Sequence, residues 1–312
     1  MKSVTILILI LAAMQTNPKF DSEIAPFLRA KLEDEIRLYN LDPNALKRAS
    51  PLIERWGRED HNSEQHRYDL LKQILKERFY SVHIMDLAAG CGNFVFQGQM
   101  QNLNVEGIEP EEWKNELWKK KIDAFHLNPE WIKKFHNGIG EKLPFANNSF
   151  DVVDSWQTFE HVQSVKDCMN EMFRVLTADG IAVIRMPSYA SFYEGHYMMP
   201  WFPYLHGNLA KLWLSFTSRP TAGLKTFYIR TQCSMKREAK KAGFLPLDLK
   251  KILYQKHLAS KRGITNKMLS GIIYHLRMLV TNFKNIFRQE RYVHLLLVKE
   301  AEHSLAKDFL NK

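Results

Sequence analysis

The chain has 312 residues, 45% of them apolar and 25% charged, with only 14 glycines and 12 prolines. A chain of this size and composition buries a sizeable core, which excludes a staple-dependent miniprotein and argues against collagen-like, low-complexity or largely disordered sequence. The formal net charge of +10 comes from one stretch, because residues 236–290 hold 13 Lys or Arg against 3 Asp or Glu.

Such a segment suits phosphate, an anionic membrane surface or an acidic partner, and its plainer reading is a solvated helix face. Cys91, Cys168 and Cys233 lie far apart with no CxxC pair. Neither a disulfide framework nor a cysteine zinc site is expected, and a reducing compartment is the natural setting.

In chain order, Lys2 precedes an apolar run from Val4 to Met14, about a dozen residues where a membrane-spanning helix needs ~20. No small-x-small cleavage site follows it. The run is read as a membrane-touching or packed terminal segment, or as the product of a start codon placed too early.

Residues 20–80 read as helices. Phe27-Leu28, Leu32, Ile36 and Leu38-Tyr39 recur at helical spacing, as do Tyr68, Leu70-Leu71, Ile74-Leu75 and Phe79. From residue 82 the pattern changes to short apolar runs separated by helical stretches: Val82–Leu87, Val105–Ile108, Trp131–Phe135, Phe150–Val153, Ile181–Ile184, Phe244–Leu249 and Tyr292–Val298. Alternation of this kind predicts a parallel sheet covered by helices on both faces.

Two stretches interrupt it. Residues 188–232 are crowded with aromatic side chains, and residues 254–290 carry an apolar stripe at helical spacing opposite Arg277, Lys284 and Arg288. The part from 264 to 289 is expected to be a basic amphipathic helix able to lie on an anionic membrane.

The chemistry concentrates where the first strand ends. Asp86-Leu87-Ala88-Ala89-Gly90-Cys91-Gly92-Asn93 joins a strand to a helix through a glycine turn, which lets a ligand approach the backbone and offers it the free N–H groups of a helix start. Nicotinamide-binding folds use a similar turn, but their G-x-G-x-x-G needs glycine where this chain has Val95. The second strand ends in Glu109, 17 residues beyond Gly92, where a carboxylate can accept both hydroxyls of a ribose.

Then come Glu141-Lys142-Leu143-Pro144-Phe145, the strand Phe150 to Ser155, Glu160-His161-Val162, and a helix through Glu171 to Leu176 running into Gly180-Ile181-Ala182-Val183-Ile184. These motifs, in this order, resemble the class I S-adenosylmethionine-dependent methyltransferases, specifically the family often called methyltransferase type 11. The resemblance is dense over roughly residues 80–186 and looser beyond.

It implies a Rossmann-like α/β fold: a seven-stranded, mostly parallel sheet with a reversed last strand, N-terminal helices and two helical inserts. The expected organisation is an N-terminal segment with helices over 1–80, a methyltransferase domain over 81–300 with inserts at 188–232 and 254–290, and a tail over 301–312.

The resemblance further implies S-adenosylmethionine as cosubstrate. Asp86 and the backbone of Ala88, Gly90 and Gly92 would surround its methionine end and ribose, Glu109 would hold the ribose hydroxyls, Gly140 and Glu141 would lie at the adenine, and Asp154, Ser155 and Trp156 would line the sulfonium side. The sequence departs from the family at Ala88, where a glycine is common, and at Ile139, where an acidic residue is common.

A sulfonium methyl is already activated, so the protein need only align a nucleophile and, for a hydroxyl, take up its proton. His161, Glu194, His196 and His206 are the titratable groups near the expected cleft, with His196 the favoured base and His161 the second. The expected acceptor is a small-molecule, glycan or lipid-linked hydroxyl, and the expected location is cytoplasmic, peripheral at the membrane. No obligate protein partner is inferred.

A nucleic-acid methyltransferase is the alternative, opposed by Asp154-Ser155-Trp156-Gln157 in place of Asn/Asp-Pro-Pro-aromatic and by the lack of an RNA-binding signature. A non-catalytic cosubstrate-binding domain is a third reading. With no HxH or HExxH among the 12 histidines, no metal site is expected.

Overall fold

The computed structural model describes residues 19–39, 49–57, 62–250, 252–253 and 292–299. The apolar run at 4–14, the basic stretch at 264–289 and the tail at 301–312 lie outside the described residues. The chain forms two compact units, Met1–Ile139 and Gly140–Lys312.

In the first unit, α1 (Ala25–Tyr39), α2 (Ala49–Gly57) and α3 (Gln65–Leu75) precede β1 (His83–Leu87), α4 (Asn93–Met100), β2 (Asn104–Glu109), α5 (Glu112–Ala124) and β3 (Phe135–Asn137). The strands lie in the order β3-β2-β1, all parallel, and Leu87 sits opposite Ile108. That register places the turn after β1 beside the end of β2. Ile84, Met85, Val105 and Ile108 are at most 1% exposed, as expected of strands covered on both faces.

Among the described residues between 20 and 80 the helical reading is met, with Leu28 and Leu32 of the first stripe buried and Leu38 36% exposed. Phe20, Ile24, Leu28 and Leu32 pack with Ile53 against Leu117 and Ala124 of α5, each full burial of this kind stabilising by about 1.5–3 kcal/mol. Two buried cations tie helices to the core. Lys121 donates to the carbonyls of Trp56 (2.8 Å) and Cys91 (3.2 Å) and to Asn93 Oδ1 (3.2 Å). Arg67 of α3 pairs with Asp86 and lies 3.9 Å from the centre of the Phe94 ring.

The expected strand at Trp131–Phe135 is different. Pro129–Lys134 is a 3-10 turn, started by Asn128, whose side chain accepts the N–H of Glu130 at 3.0 Å, and only Phe135–Asn137 is strand. Proline at the first position and an asparagine cap favour a helical turn over an extended run.

The second unit carries β4 (Phe150–Trp156), α6 (Val165–Val175), β5 (Leu176–Pro187), the short pair β6 (Tyr193–Glu194) and β7 (Met199–Pro200), α7 (Gly207–Phe216), α8 (Gln232–Lys241), β8 (Leu245–Asp248) and β9 (Tyr292–Val298). Its larger set of strands has the order β4-β5-β9-β8. β4 and β5 are parallel, and β9 runs antiparallel to both β5 and β8. Among the described residues, the strands outside the β6–β7 pair number seven, mostly parallel and with a reversed last one, as in the anticipated Rossmann-like α/β class. The insert at 188–232 is helical only in part, since β6 and β7 form a hairpin within it. No described helix is long and apolar enough to cross a membrane.

Candidate active site

Asp86 and Glu109 in the first unit and Asp154, Ser155 and Trp156 in the second sit at the carboxyl ends of parallel strands, the edge at which open α/β sheets bind ligands, while His196 lies in the β6–β7 hairpin. In the first unit the chain leaves β1 through three residues of positive φ: Ala88 (+59°), Gly90 (+57°) and Gly92 (+79°). An alanine in the left-handed region costs roughly 1–2 kcal/mol, so the turn at Ala88 is held against its own preference.

The two glycines serve different purposes. A Cβ on Gly90 would meet nothing within 4 Å, whereas one on Gly92 would come within 2.7 Å of Trp118 and 3.2 Å of Phe135. Gly90 faces open space and Gly92 faces the core. The N–H of Gly92 is also engaged, donating to the Ala89 carbonyl at 2.9 Å.

Glu109 is 2% exposed. Its carboxylate accepts the N–H of Gly90 at 2.8 Å and of Glu111 at 3.2 Å, with Lys114 Nζ at 3.4 Å. Burial pushes its pKa up, while Lys114 and the two N–H donors oppose that shift. The open face at Gly90 beside a buried carboxylate fits the ribose of a nucleoside ligand, since a carboxylate has about four acceptor positions. Asp86, one strand over, is equally buried and bound by Arg67.

In the second unit, Glu141 Oε1 accepts the N–H groups of Gln163 (2.9 Å) and Ser164 (3.3 Å), ahead of α6. Ile139, the position where the family commonly has an acid, is 49% exposed. Asp154 and Ser155 are buried, and Asp154 Oδ1 accepts the indole N–H of Trp156 at 3.1 Å. The guanidinium of Arg185 lies 4.5 Å from the centre of the Trp156 ring and 4.3 Å from that of Tyr292.

The fold brings both favoured histidines together. The His161 and His196 rings meet edge to face, 5.2 Å between centroids, and His196 stacks on Phe227 at 5.0 Å. His196 Nδ1 donates to Glu194 Oε1 at 2.7 Å, and His161 Nδ1 donates to the carbonyl of Thr226 at 2.6 Å. Glu194 is in turn held by the N–H of Tyr197 (2.6 Å) and the hydroxyl of Tyr189 (3.3 Å).

Burial alone would lower the pKa of His196, but the hydrogen bond and charge of Glu194, with Glu160, outweigh it and raise the ring above the ordinary histidine value. Glu160, next to His161, is 1% exposed, and burial pushes its pKa up to about 7. Sequence reasoning quoted Glu160 only as part of a motif; its adjacency to a candidate histidine was the available signal. His206 instead bonds the Tyr204 carbonyl.

Residues 85–184 match the family model described as a methyltransferase domain. An uncharacterized methyltransferase of Mycolicibacterium vanbaalenii is 28% identical over 130 residues, 42% of this chain and 49% of that protein. The demethylmenaquinone methyltransferase of Chlorobaculum parvum is 33% identical over 76 residues, 22% of this chain and 32% of that protein. These matches span half or less of either relative.

Among solved structures, geranyl diphosphate C-methyltransferase from Streptomyces coelicolor, which holds S-adenosyl-L-homocysteine, covers 84% of this chain and 85% of its own at 12% identity and a TM-score of 0.44. The family match covers about a third of the chain and lies on the segment running from β1 through β5, so residues 85–184 resemble a methyltransferase domain.

Proposed function

We propose that the chain is an S-adenosylmethionine-dependent enzyme that methylates an oxygen of a small-molecule, glycan or lipid-linked acceptor. The observation that carries the reading is the buried Glu109 carboxylate anchored on the Gly90 N–H, within the matched segment and beside Gly90, where an added Cβ would meet nothing within 4 Å among the described residues. Bound S-adenosylmethionine supplies an electrophilic methyl on a sulfonium sulfur.

In this reading Glu109 holds the ribose hydroxyls. Asp86 with the backbone of Ala88, Gly90 and Gly92 surrounds the methionine end and ribose, Gly140 and Glu141 lie at the adenine, and Asp154, Ser155 and Trp156 line the sulfonium side. Gly92 acts indirectly by allowing the turn to close on Trp118. Glu141 brings only what remains of a carboxylate already bound to two backbone N–H groups.

On the acceptor side, His196 takes the hydroxyl proton. Its Nδ1 is held by Glu194, which fixes the lone pair on Nε2 and stabilises the imidazolium that forms. His161, edge-on to the same ring, is the second proton acceptor. A carbon acceptor is the competing reading, favoured by a Rickettsia felis relative named as a ubiquinone/menaquinone biosynthesis C-methyltransferase, 32% identical over 106 residues, 31% of this chain and 41% of that protein, and it also loses a proton during the transfer.

We place the protein at an anionic membrane surface when its acceptor is lipid-linked. The excess of basic residues in 236–290 supports this, as do Leu209, Leu212 and Phe216, exposed by 67%, 67% and 81% along α7. Methyl transfer from labelled S-adenosylmethionine onto small-molecule, glycan, lipid and RNA fractions tests the function. Label on an oxygen of one of the first three supports it; label on RNA or on carbon replaces the acceptor, and no transfer to any fraction contradicts the enzyme reading.

A further inference from the structure

We propose that Glu160, His161 and His196 form a binding site for a divalent transition-metal cation. One ligand atom from each of the three lies within 4.8 Å of the others. They come from the loop after β4 and the turn between β6 and β7, so no spacing in the sequence announces them.

Three features of the surroundings point to a cation. First, both rings are oriented from behind. Glu194 Oε1 and the Thr226 carbonyl accept hydrogen bonds, so each imidazole, when neutral, carries its proton on Nδ1 and its lone pair on Nε2. A carboxylate or carbonyl on the far nitrogen is the usual support of a metal-bound histidine, since it fixes the tautomer and makes the ligating nitrogen more basic.

Second, Glu160 is 1% exposed and its Oε2 has no hydrogen-bond partner. A buried carboxylate oxygen left without a donor is costly, and a cation between it and the rings removes that cost. Third, the supports are themselves fixed. Tyr197 and Tyr189 hold Glu194, the Tyr228 N–H holds the backbone of Glu160 at 2.7 Å, and Phe227 backs the His196 ring.

Two imidazoles and one carboxylate suit zinc, cobalt, nickel or iron(II) rather than magnesium or calcium, which prefer all-oxygen shells. Bond lengths near 2.0 Å imply ligand atoms roughly 3.3 Å apart in a tetrahedral site. The three therefore close in on binding, and His161, the exposed member, is the one with room to move. Three protein ligands leave a coordination position for water or a substrate oxygen.

That consequence for catalysis rests on the reading that this cluster meets the acceptor; the binding itself does not. A ring that gives its Nε2 lone pair to a cation cannot also take up a proton there. A cation held by Glu160, His161 and His196 would supply Lewis acidity to an acceptor oxygen, and the base role of His196 belongs to the cation-free protein.

The test is titration of Co2+ and Zn2+ into the metal-stripped full chain, read by calorimetry and by the visible absorption of bound Co2+. One cation per chain is expected. Glu160→Gln, His161→Ala and His196→Ala should each weaken binding at least tenfold, and Glu194→Gln should weaken it 10–100-fold through the ring it orients.

S-adenosylmethionine binding, measured on the same preparations, verifies folding and separates the two claims. Cation binding without cosubstrate binding overturns the function above and leaves the site standing. Absence of stoichiometric Co2+ binding, or equal affinity in wild type and in His161→Ala at an exposed position, overturns the site.

Discussion

The carboxylate of Glu109 accepts the backbone N–H of Gly90 at 2.8 Å, linking the end of β2 to the glycine turn after β1. One buried acid thereby shapes the turn and presents its remaining lone pairs beside Gly90, where an added Cβ would meet nothing within 4 Å among the described residues.

The glycines of that turn should respond differently to alanine. Gly92→Ala places a Cβ 2.7 Å from Trp118 at a φ of +79°, so overpacking of about 1–3 kcal/mol adds to roughly 1–2 kcal/mol of backbone strain. Gly90→Ala meets no neighbour and should lose only the backbone share. Urea unfolding of the two variants should show the larger drop in midpoint for Gly92→Ala; equal drops would contradict the packing role.

His196→Ala in the cation-free protein should lower kcat by ~100-fold while leaving S-adenosylmethionine affinity within about twofold. Glu194→Gln should lower kcat less, because the ring stays in place and only its support weakens. Single-turnover kinetics distinguish these outcomes. An unaltered rate in His196→Ala combined with a large loss in His161→Ala would move the proton to His161.

Of the three cysteines, only Cys233 is exposed. Burial pushes the Cys91 thiol up to about 12 and raises Cys168 as well, despite the opposing charge of Lys121 and Lys114 near Cys91. The native protein should therefore titrate one fast thiol with a disulfide reagent at neutral pH, and three after denaturation. A second fast thiol would mean that the turn at Cys91 opens.

Glu106 should contribute an acid-sensitive share of stability. Burial alone would raise its pKa, but hydrogen bonds from His136, His83 and Lys134 outweigh it and hold the carboxyl far below its ordinary range. A group depressed on folding stabilises above the unfolded pKa of about 4.5 and loses that contribution as pH falls through its folded value. Glu106→Gln should therefore unfold more readily than wild type at pH 7, with the gap narrowing below about pH 4; a gap independent of pH would contradict the assignment.

The turn after β1 and its meeting with the end of β2 were legible because their signals are local. Asp86, the glycine turn and Glu109 sit at the ends of strands whose apolar runs are short and continuous, and the structure places all of them at one edge of the β1–β2 pair. The buried cations were not legible. Lys121 and Arg67 find partners 65 and 19 residues away in sequence, which no local pattern announces.

The Glu160–His161–His196 cluster was half visible. Both histidines were singled out one at a time, but the hairpin that carries His196 toward the loop after β4 lies inside a stretch read as helical. The different demands on Gly90 and Gly92 could not be read either, since both look alike until Trp118 is placed against one of them.

The most direct test of the central claim is titration calorimetry of S-adenosylmethionine into the wild-type chain and Glu109→Ala. The account predicts saturable one-to-one binding by wild type. It predicts at least a tenfold loss in Glu109→Ala, from two charge-assisted hydrogen bonds of about 1.5–3 kcal/mol each, in a variant still folded by circular dichroism. No binding by wild type, or unchanged affinity in the folded variant, would contradict it.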